Sequence, residues 1–556
     1  MDEDQEDHIL RNGIDINGSK MKKSMLYVCI LIAFGGILFF YNLGGWDLWN
    51  PDEPRYAQVA KEMLQGEGWI VPHLNSEVYP DKPPLFFWLI ASTAKVIGGM
   101  NEFAARFSSA LFGLLTLLLL FFLGKKLFGA KVGFFAALIL ATNVEFLWLA
   151  RRANIDATLT FFTTAAIILL YIGFYQRQGR WIFYLLAYAA IALGVFAKLQ
   201  VAVIVPLLVV GGYFLMQRKW KFFKDPSHIP GIALLVAFIG GWLVLAYLNG
   251  GEDYLRELLY QKTTSRLFEA TSHKEALYYY LANFPANFIP WIVFLPSAMI
   301  YGLSEKGKKK EFIFVFFWFA VIFVSFSLFK AKRELYLLPL YPAASLMVGY
   351  LLTQIPLGTK DAQRKVISIP FFVLIIVLAL TAISLPVVAA LKGRFYMEHP
   401  WEIGVVSAVI AGGAALLAFL AHRYRRRDLP FYIIVAMVFV LSLYGATRIF
   451  PEINKYKSAR PLSQAIVSVM KPGDLLGTYQ LEAAHLIYYT GYNQMQWFEE
   501  EETLKEFLRS PQPVLCIMRE RHYKHLAKDS TLSIFAVAKG QVGHKHLVVV
   551  SNRQEP

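Results

Sequence analysis

Long apolar runs alternate with short charged connections over most of this chain. Fourteen such runs lie before residue 450: 25–42, 83–99, 103–123, 131–149, 157–175, 181–197, 199–216, 229–248, 286–303, 312–329, 335–355, 366–391, 403–421 and 429–448. A helix that crosses the hydrocarbon core of a bilayer needs about 20 mostly apolar residues. The pattern therefore predicts an all-α, multi-pass membrane protein.

The positions of Lys and Arg indicate which runs cross the membrane. If run 83–99 does not cross, the internal loops are 124–131, 176–180, 217–228, 304–311, 356–365 and 422–428, which together carry 20 Lys and Arg. Cytoplasmic loops are rich in these residues. Run 83–99 is short, begins with two prolines and contains Lys95. We therefore predict that it lies at the interface, which leaves about 13 transmembrane helices with the N-terminus inside and the C-terminus outside.

The tail of the chain has a different pattern. Segments 475–479, 514–518 and 547–550 are typical of short strands, and segments 481–490 and 501–509 of helices. Such alternation predicts a small α/β domain. We expect a transmembrane domain over residues 1–450, with a first external loop over 43–102, and a periplasmic C-terminal α/β domain over 451–556.

Composition agrees with a membrane protein and disfavours a nucleic-acid-binding one. Of the 556 residues, 56% are hydrophobic and 17% are charged, and the mean hydropathy is +0.44. Soluble domains are about 45–50% apolar and about 25% charged. The net charge of +15 is divided among short loop clusters, so no nucleic acid partner is expected. The two cysteines, Cys29 and Cys516, lie in different regions, and no disulfide or cysteine–metal site is expected.

Acidic and basic residues recur on the predicted outer side. The enrichment of Lys and Arg in cytoplasmic loops does not explain them there. They are Asp52, Glu53, Arg55 and Tyr56; Tyr79, Asp81 and Lys82; Arg151, Arg152 and Asp156; Lys198; Lys332, Arg333 and Tyr336; and Arg266, Glu269 and His273. Taken singly, each group is explained by helix capping, snorkelling or solvation. Together, the cations suit a phosphate or pyrophosphate headgroup, and a carboxylate among them suits a general base acting on a hydroxyl.

At these residues the sequence resembles the bacterial lipid-carrier-dependent glycosyltransferases of the GT-C class. It is most similar to the aminoarabinose lipid A transferase branch, which is related to the protein O-mannosyltransferases. The resemblance covers about residues 25–350 and rests on dispersed motifs in one order: Asp52-Glu53 with Arg55-Tyr56, Tyr79-x-Asp81-Lys82-Pro83-Pro84, Arg106, Arg152-x-x-x-Asp156, Ala197-Lys198, Arg266 to His273 and Lys332-x-x-x-Tyr336. It implies two amphipathic helices in the first external loop. One departure is Lys198-Leu199-Gln200, where relatives often have Lys-Gly-Pro.

The resemblance also implies roles for individual residues. Asp52 is the expected catalytic base, and Asp156 is a second catalytic carboxylate. Arg55, Lys82, Lys198 and Tyr336 are expected to bind the donor phosphate, with Lys332 and Arg333 as further cations at the same face. Glu53, Tyr56 and Tyr79 are candidate substrate-binding residues. Asp81 and His273 are the positions at which the family can hold a divalent metal ion, and no nucleotide cofactor is expected.

The resulting hypothesis is an inverting transferase of the bacterial inner membrane. It would move a sugar, an aminoarabinose-like pentose or a hexose, from polyprenyl phosphate to lipid A or another envelope glycolipid or polysaccharide. One alternative is a polyprenyl-phosphate-mannose protein O-mannosyltransferase. Another is a flippase or transporter for the lipid-linked sugar, which would place charges near the bilayer midplane. Glu145, inside run 131–149, is the residue that favours the transporter.

Overall fold

The computed structural model describes residues 3–66, 68–261, 274–305, 307–354, 361–424 and 428–554. Within these ranges, ten helices are long and apolar enough to cross a membrane: Met21–Phe40, Glu102–Phe128, Ile155–Tyr175, Arg180–Lys198, Pro226–Leu259, Lys309–Leu328, Glu334–Gln354, Val366–Phe395, Pro400–Arg423 and Leu429–Lys457. Two bent pairs, Ala130–Ala141 with Val144–Ala150 and Tyr279–Asn287 with Trp291–Ser304, raise the number to twelve if each pair is one span. The chain is a multi-span membrane protein.

A thirteenth predicted span, over 199–216, corresponds to the shorter helical series Val201–Met216. This series begins beside Lys198 and is followed by Asp225, which pairs with Arg180 at the other end of helix Arg180–Lys198. It therefore runs the length of its neighbour. The predicted count of about thirteen is reached only if both bent pairs and this short series each cross once.

The first external loop contains the two predicted helices, Asp52–Leu64 and Leu85–Ile97, joined by a small hairpin of β1 (His73–Leu74) and β2 (Glu77–Val78). The second helix is 13 residues long, shorter than the length needed to span a bilayer. Its aromatic residues Phe86 and Phe87 pack against Tyr56 of the first helix. This packing buries one face of each helix and holds the start of the first helix close to the membrane helices.

The tail forms a five-stranded mixed sheet with short helices. Its strands are β3 (Leu475–Tyr479), β4 (Gln496–Phe498), β5 (Val514–Arg519), β6 (Phe535–Val542) and β7 (Lys545–Ser551). The order is β4-β3-β5-β7-β6, in which β3 is parallel to β4 and β5, and β7 is antiparallel to β5 and β6. The helices are Arg460–Val469, Ala484–Thr490, Glu501–Leu508 and Glu520–Leu526. The predicted small C-terminal α/β domain is confirmed.

This domain rests on the first external loop through buried hydrogen bonds. Asn75 donates its side-chain amide to the Met495 carbonyl at 2.8 Å and accepts from the Met495 amide at 2.9 Å. The Leu48 amide donates to the Tyr489 hydroxyl at 2.7 Å. The loop that carries the candidate catalytic residues is therefore held between the membrane helices and the tail.

We expect Asn75→Gly to weaken this contact. Asn75 has a φ of +64°, a conformation that glycine adopts readily, so the variant keeps the turn and loses two buried hydrogen bonds. The expected cost is about 1–3 kcal/mol, seen as a lower Tm and faster limited proteolysis of the tail. Ser76→Gly is the matched control, because exposed Ser76 has a similar φ of +59°. Equal behaviour of the two variants would contradict the prediction.

Candidate active site

A buried ion pair between Glu53 and Arg106 organises the end of the helices from which the loop 43–102 extends. Glu53 is 1% exposed and Arg106 is fully buried. The Arg106 guanidinium donates to both Glu53 oxygens at 2.8 and 3.1 Å. It also donates to the carbonyls of Leu43, Trp46 and Asp47 at 2.7–3.0 Å. Arg106 thereby binds the segment that follows the first span to the first turn of helix Asp52–Leu64.

The two arginines that precede Asp156 contribute to the same structure. Arg152 donates to Glu53 at 3.2 Å and to the Trp49 carbonyl at 3.0 Å. Arg151 donates to the carbonyls of Leu38 and Tyr41 at the end of the first helix. Burial would raise the pKa of Glu53, but the charges of Arg106 and Arg152 lower it to about 2. Glu53, expected from the sequence to bind substrate, is instead enclosed among protein donors.

Asp52, adjacent to Glu53, points into a polar cavity of about 920 Å³ that we call the Asp52 cavity. Arg333 donates to Asp52 at 3.3 Å, and the Asp52 side chain is 18% exposed. Burial would lower the pKa of Arg333, but the carboxylate of Asp52 raises it. The remaining charged residues that line this cavity are Glu53, Glu145, Arg152, Glu275, Lys332 and Glu334. Asp52 is thus a partly accessible carboxylate beside a cation.

A second cavity of about 930 Å³, the Lys198 cavity, holds most of the other predicted residues. Lys198 donates to Asp156 at 2.5 Å, and its ammonium lies 4.5 Å from the centre of the Tyr336 ring. The polar lining is completed by Asp81, Lys82 and Gln200, and the apolar lining includes Val201, Ile204, Phe326 and Phe329. A charged end beside an apolar wall fits a phosphate attached to a hydrocarbon chain.

Leu199 follows Lys198 with a φ of +40°, in the region that favours glycine. This is the position at which relatives often have glycine. The backbone therefore keeps the turn that a glycine would make, although the side chain is larger. The sequence departure at this position has not displaced the Lys198 ammonium from Asp156.

The two cavities lie close enough for their charges to interact. Arg333 interacts electrostatically with both Asp52 and Asp156. Burial, reinforced by the charges of Asp52 and Asp156, raises the pKa of Tyr56. Burial and the nearby Asp81 also raise the pKa of Tyr79. Both tyrosines are therefore neutral.

Two other predicted residues, Arg55 and Lys332, have protein partners of their own. Arg55 pairs with Glu482 of the C-terminal domain and interacts with Tyr79. Lys332 is 4% exposed and donates to the Glu275 carbonyl at 2.9 Å. His273, like Arg266 and Glu269, lies outside the described residues, so of the two predicted metal ligands only Asp81 has a described position.

The structure brings in residues that the sequence did not single out for the site. Glu482 reaches Arg55 from the tail, 427 residues away. Arg460 donates to Glu102 and pairs with Asp47 at 3.1 Å, beside the Arg106 cluster. No local signal marks these contacts, because they depend on how the tail docks. Glu145 and Glu275 also line the Asp52 cavity, and for Glu145 a carboxylate within an apolar run was the available signal.

The fold and these motifs were compared with known proteins. A family model described as dolichyl-phosphate-mannose-protein mannosyltransferase matches residues 81–244. The crystal structure of ArnT from Cupriavidus metallidurans bound to undecaprenyl phosphate superposes with a TM-score of 0.78 at 21% identity, covering 95% of this chain and 98% of that one. The Archaeoglobus fulgidus oligosaccharyltransferase superposes with a TM-score of 0.50 at 11% identity, covering 92% and 69%.

Curated relatives match over most of the chain. An undecaprenyl phosphate-α-4-amino-4-deoxy-L-arabinose arabinosyl transferase from Pseudomonas aeruginosa strain UCBPP-PA14 is 28% identical over 400 residues, 71% of each chain. The chain is a lipid-carrier-dependent glycosyltransferase that is similar to the aminoarabinose transferases. An uncharacterized protein from Aquifex aeolicus is 28% identical over 468 residues, 84% of this chain and 86% of its own. The resemblance to the aminoarabinose transferases that the motifs indicated is confirmed.

We expect Glu53 to make stability depend on acid pH. Its folded-state pKa of about 2 lies below the ordinary value of 4.5. The stabilisation is therefore present above pH 4.5 and is lost as the pH falls towards 2. Glu53→Gln should lower Tm at neutral pH and flatten the acid part of the Tm–pH curve. Exposed Glu77→Gln is the control. Parallel curves for wild type and Glu53→Gln would refute this assignment.

Proposed function

We propose that this protein transfers an aminoarabinose-like sugar from undecaprenyl phosphate to lipid A or a related envelope glycolipid. The observation that carries the proposal is the pair of adjoining cavities, one with Asp52 and the other with Lys198, Lys82 and Tyr336 beside an apolar wall. A base and a phosphate site at one end of a helical bundle are the two components that the reaction needs. The names of the curated relatives support the sugar and its carrier.

Asp52 is better suited than Asp156 to act as the base. Asp156 is 5% exposed and accepts a 2.5 Å hydrogen bond from Lys198, so its charge is already paired with an ammonium. Asp52 is more exposed, and its contact with Arg333 is longer, at 3.3 Å. We assign Asp156 the role of positioning Lys198. Asp52 and Asp156, which the resemblance gave as two catalytic carboxylates, therefore have different roles in this proposal.

In the proposed reaction, the acceptor hydroxyl gives its proton to Asp52 as its oxygen bonds to C1 of the sugar. The bond from C1 to the phosphate oxygen breaks, and its electron pair stays on the carrier phosphate. A single displacement inverts the configuration at C1. Lys198 and Lys82 in the adjoining cavity would stabilise the charge that develops on the phosphate. Arg55, Lys332 and Arg333 do not line the Lys198 cavity and are secondary candidates for that contact.

An apolar cavity supports a lipid as the acceptor. It has a volume of about 1510 Å³ and shares Trp148 with the Asp52 cavity. Leu147, Leu374, Leu378 and Leu441 are among its lining residues. Acyl chains in this space would place a glycolipid headgroup near Asp52. A protein O-mannosyltransferase, the alternative favoured by the description of the matching family model, would have no use for such a cavity.

The proposed location is the inner membrane, with the site on the periplasmic side. The 20 Lys and Arg of the six predicted internal loops support this orientation. The N-terminus would be cytoplasmic and the C-terminal domain periplasmic. The candidate site residues lie at one end of the spans rather than at mid-depth, which favours a transferase over a transporter.

A divalent metal remains part of the proposal at Asp81 and His273. Asp81 lines the Lys198 cavity, where a cation beside the phosphate would supply further charge neutralisation. One described carboxylate is an incomplete ligand set for a divalent ion. The steps above therefore use only the protein's own side chains.

We expect Asp52→Asn to reduce transfer by at least about 100-fold, because the amide cannot accept the acceptor's proton. The assay is transfer of labelled aminoarabinose from undecaprenyl phosphate to lipid A by purified protein in liposomes. Asp253→Asn changes an exposed carboxylate in the same way and should leave the rate unchanged. Full activity of Asp52→Asn would remove Asp52 as the base. Transfer by wild type to a Ser/Thr peptide, and not to lipid A, would favour the alternative of a protein O-glycosylating transferase.

A larger side chain in the apolar cavity should weaken binding of the acceptor. Leu441→Trp is expected to raise KM for lipid A by about tenfold, corresponding to about 1.4 kcal/mol of lost or strained contact, within the range for overpacking. Carrier binding should not change. Val440→Trp is the matched control, since Val440 is the exposed neighbour on the same helix and does not line the cavity. Equal KM values for both variants would contradict an acceptor site there.

A further inference from the structure

Glu145 is a buried carboxylate that the proposed chemistry does not use. It lies in the seven-residue helix Val144–Ala150, which follows a 70° bend, and it lines the Asp52 cavity. It is 9% exposed. Across the described residues, no hydrogen bond or ion pair to its carboxylate is formed. Buried polar groups in folded proteins nearly always have a partner, so an orphan that faces a cavity indicates a ligand.

The cations of this cavity donate to other groups. Arg333 donates to Asp52, and Lys332 donates to the main chain of Glu275. Arg152 is close enough to attract Glu145 electrostatically, but its hydrogen bonds go to Glu53 and Trp49. Among the residues that the structure describes, no cation is therefore paired with Glu145.

The surroundings of Glu145 add negative charge. Glu334 and Asp156 both lie within electrostatic range of it. Glu275 and Glu334 are exposed residues at the edge of the cavity. The ligand that fits this part of the cavity is therefore a cation, and the lysines that suit a phosphate, Lys82 and Lys198, line the other cavity.

A metal ion fits this position poorly. Among the described residues, the one group of His, Cys, Asp or Glu side chains close enough together to hold an ion is Glu398, His399 and Glu452, in another region. The carboxylates of the Asp52 cavity do not converge in that way. An ammonium group needs only one carboxylate and a few polar neighbours, such as the hydroxyl of Tyr279 in the same cavity.

We propose that Glu145 binds the protonated amine of an amino sugar on the lipid-linked donor and selects that sugar over uncharged ones. The proposal rests on the proposed function, which supplies the donor. Asp156 links the two cavities, because it pairs with Lys198 and lies within electrostatic range of Glu145. A donor with a phosphate at one end of the sugar and an ammonium at the other would be oriented by these two contacts, with C1 between them and near Asp52.

The test compares two donors on the purified full-length protein in lipid nanodiscs. They are undecaprenyl phosphate carrying 4-amino-4-deoxyarabinose and the same compound with its amine acetylated. Wild type should bind the amine form at least about tenfold more tightly, the usual size of a hydrogen bond to a charged group. Glu145→Gln should abolish that ratio, and Glu145→Asp should retain part of it. Glu311→Gln, at the opposite end of the spans, should keep the wild-type ratio.

Binding and transfer to lipid A are measured separately so that their failures can be told apart. Equal binding of both donors by wild type, or an unchanged ratio in Glu145→Gln, would overturn the amine site whatever the transfer assay gives. A wild-type preference that Glu145→Gln removes, without transfer to lipid A, would support the amine site and refute the proposed acceptor. If Glu145→Gln does not fold, the wild-type ratio and Glu145→Asp still decide the question.

Discussion

The buried pair of Glu53 and Arg106 is the interaction on which the structure around the candidate site depends. A guanidinium removed from water must be fully hydrogen-bonded, and Arg106 meets that need with two carboxylate oxygens and three main-chain carbonyls. Removal of one member of a buried pair typically costs about 3–5 kcal/mol. The direction in which the chain leaves the first span, and hence the position of Asp52, follows from this requirement.

The same requirement explains why two adjacent acids differ in role. Consecutive residues on a helix point about 100° apart, so either Asp52 or Glu53 can face the interior, but not both. Arg106 and Arg152 determine that Glu53 does. The sequence marks both acids equally, because the partner that separates them lies 53 residues away. The acidic segment was therefore recognisable from its pattern, and the different surroundings of its two acids were not.

Elsewhere, elements with a regular local pattern of apolar residues were predicted, and contacts between residues distant in sequence were not. Long apolar runs identified the membrane helices. The helix Leu85–Ile97 was recognisable as too short to span from its length and its preceding prolines. In the tail, strands β3, β5 and β7 were predicted because their buried runs are regular. Strand β4 has two exposed positions among three, and β6 alternates imperfectly around a bulge, so their sequences carry little signal. The docking of Glu482 on Arg55 is a tertiary contact with no local pattern.

The short contact between Lys198 and Asp156 has a consequence for turnover. On the proposed role of Lys198, the carrier phosphate must share its ammonium with a carboxylate that is already in place. The shared cation would hold the spent carrier less tightly than a lysine without a partner, and Asp156 would recover it fully when the carrier departs. On that proposal, the side chain that pairs with Lys198 between cycles would also promote release of the lipid product into the bilayer.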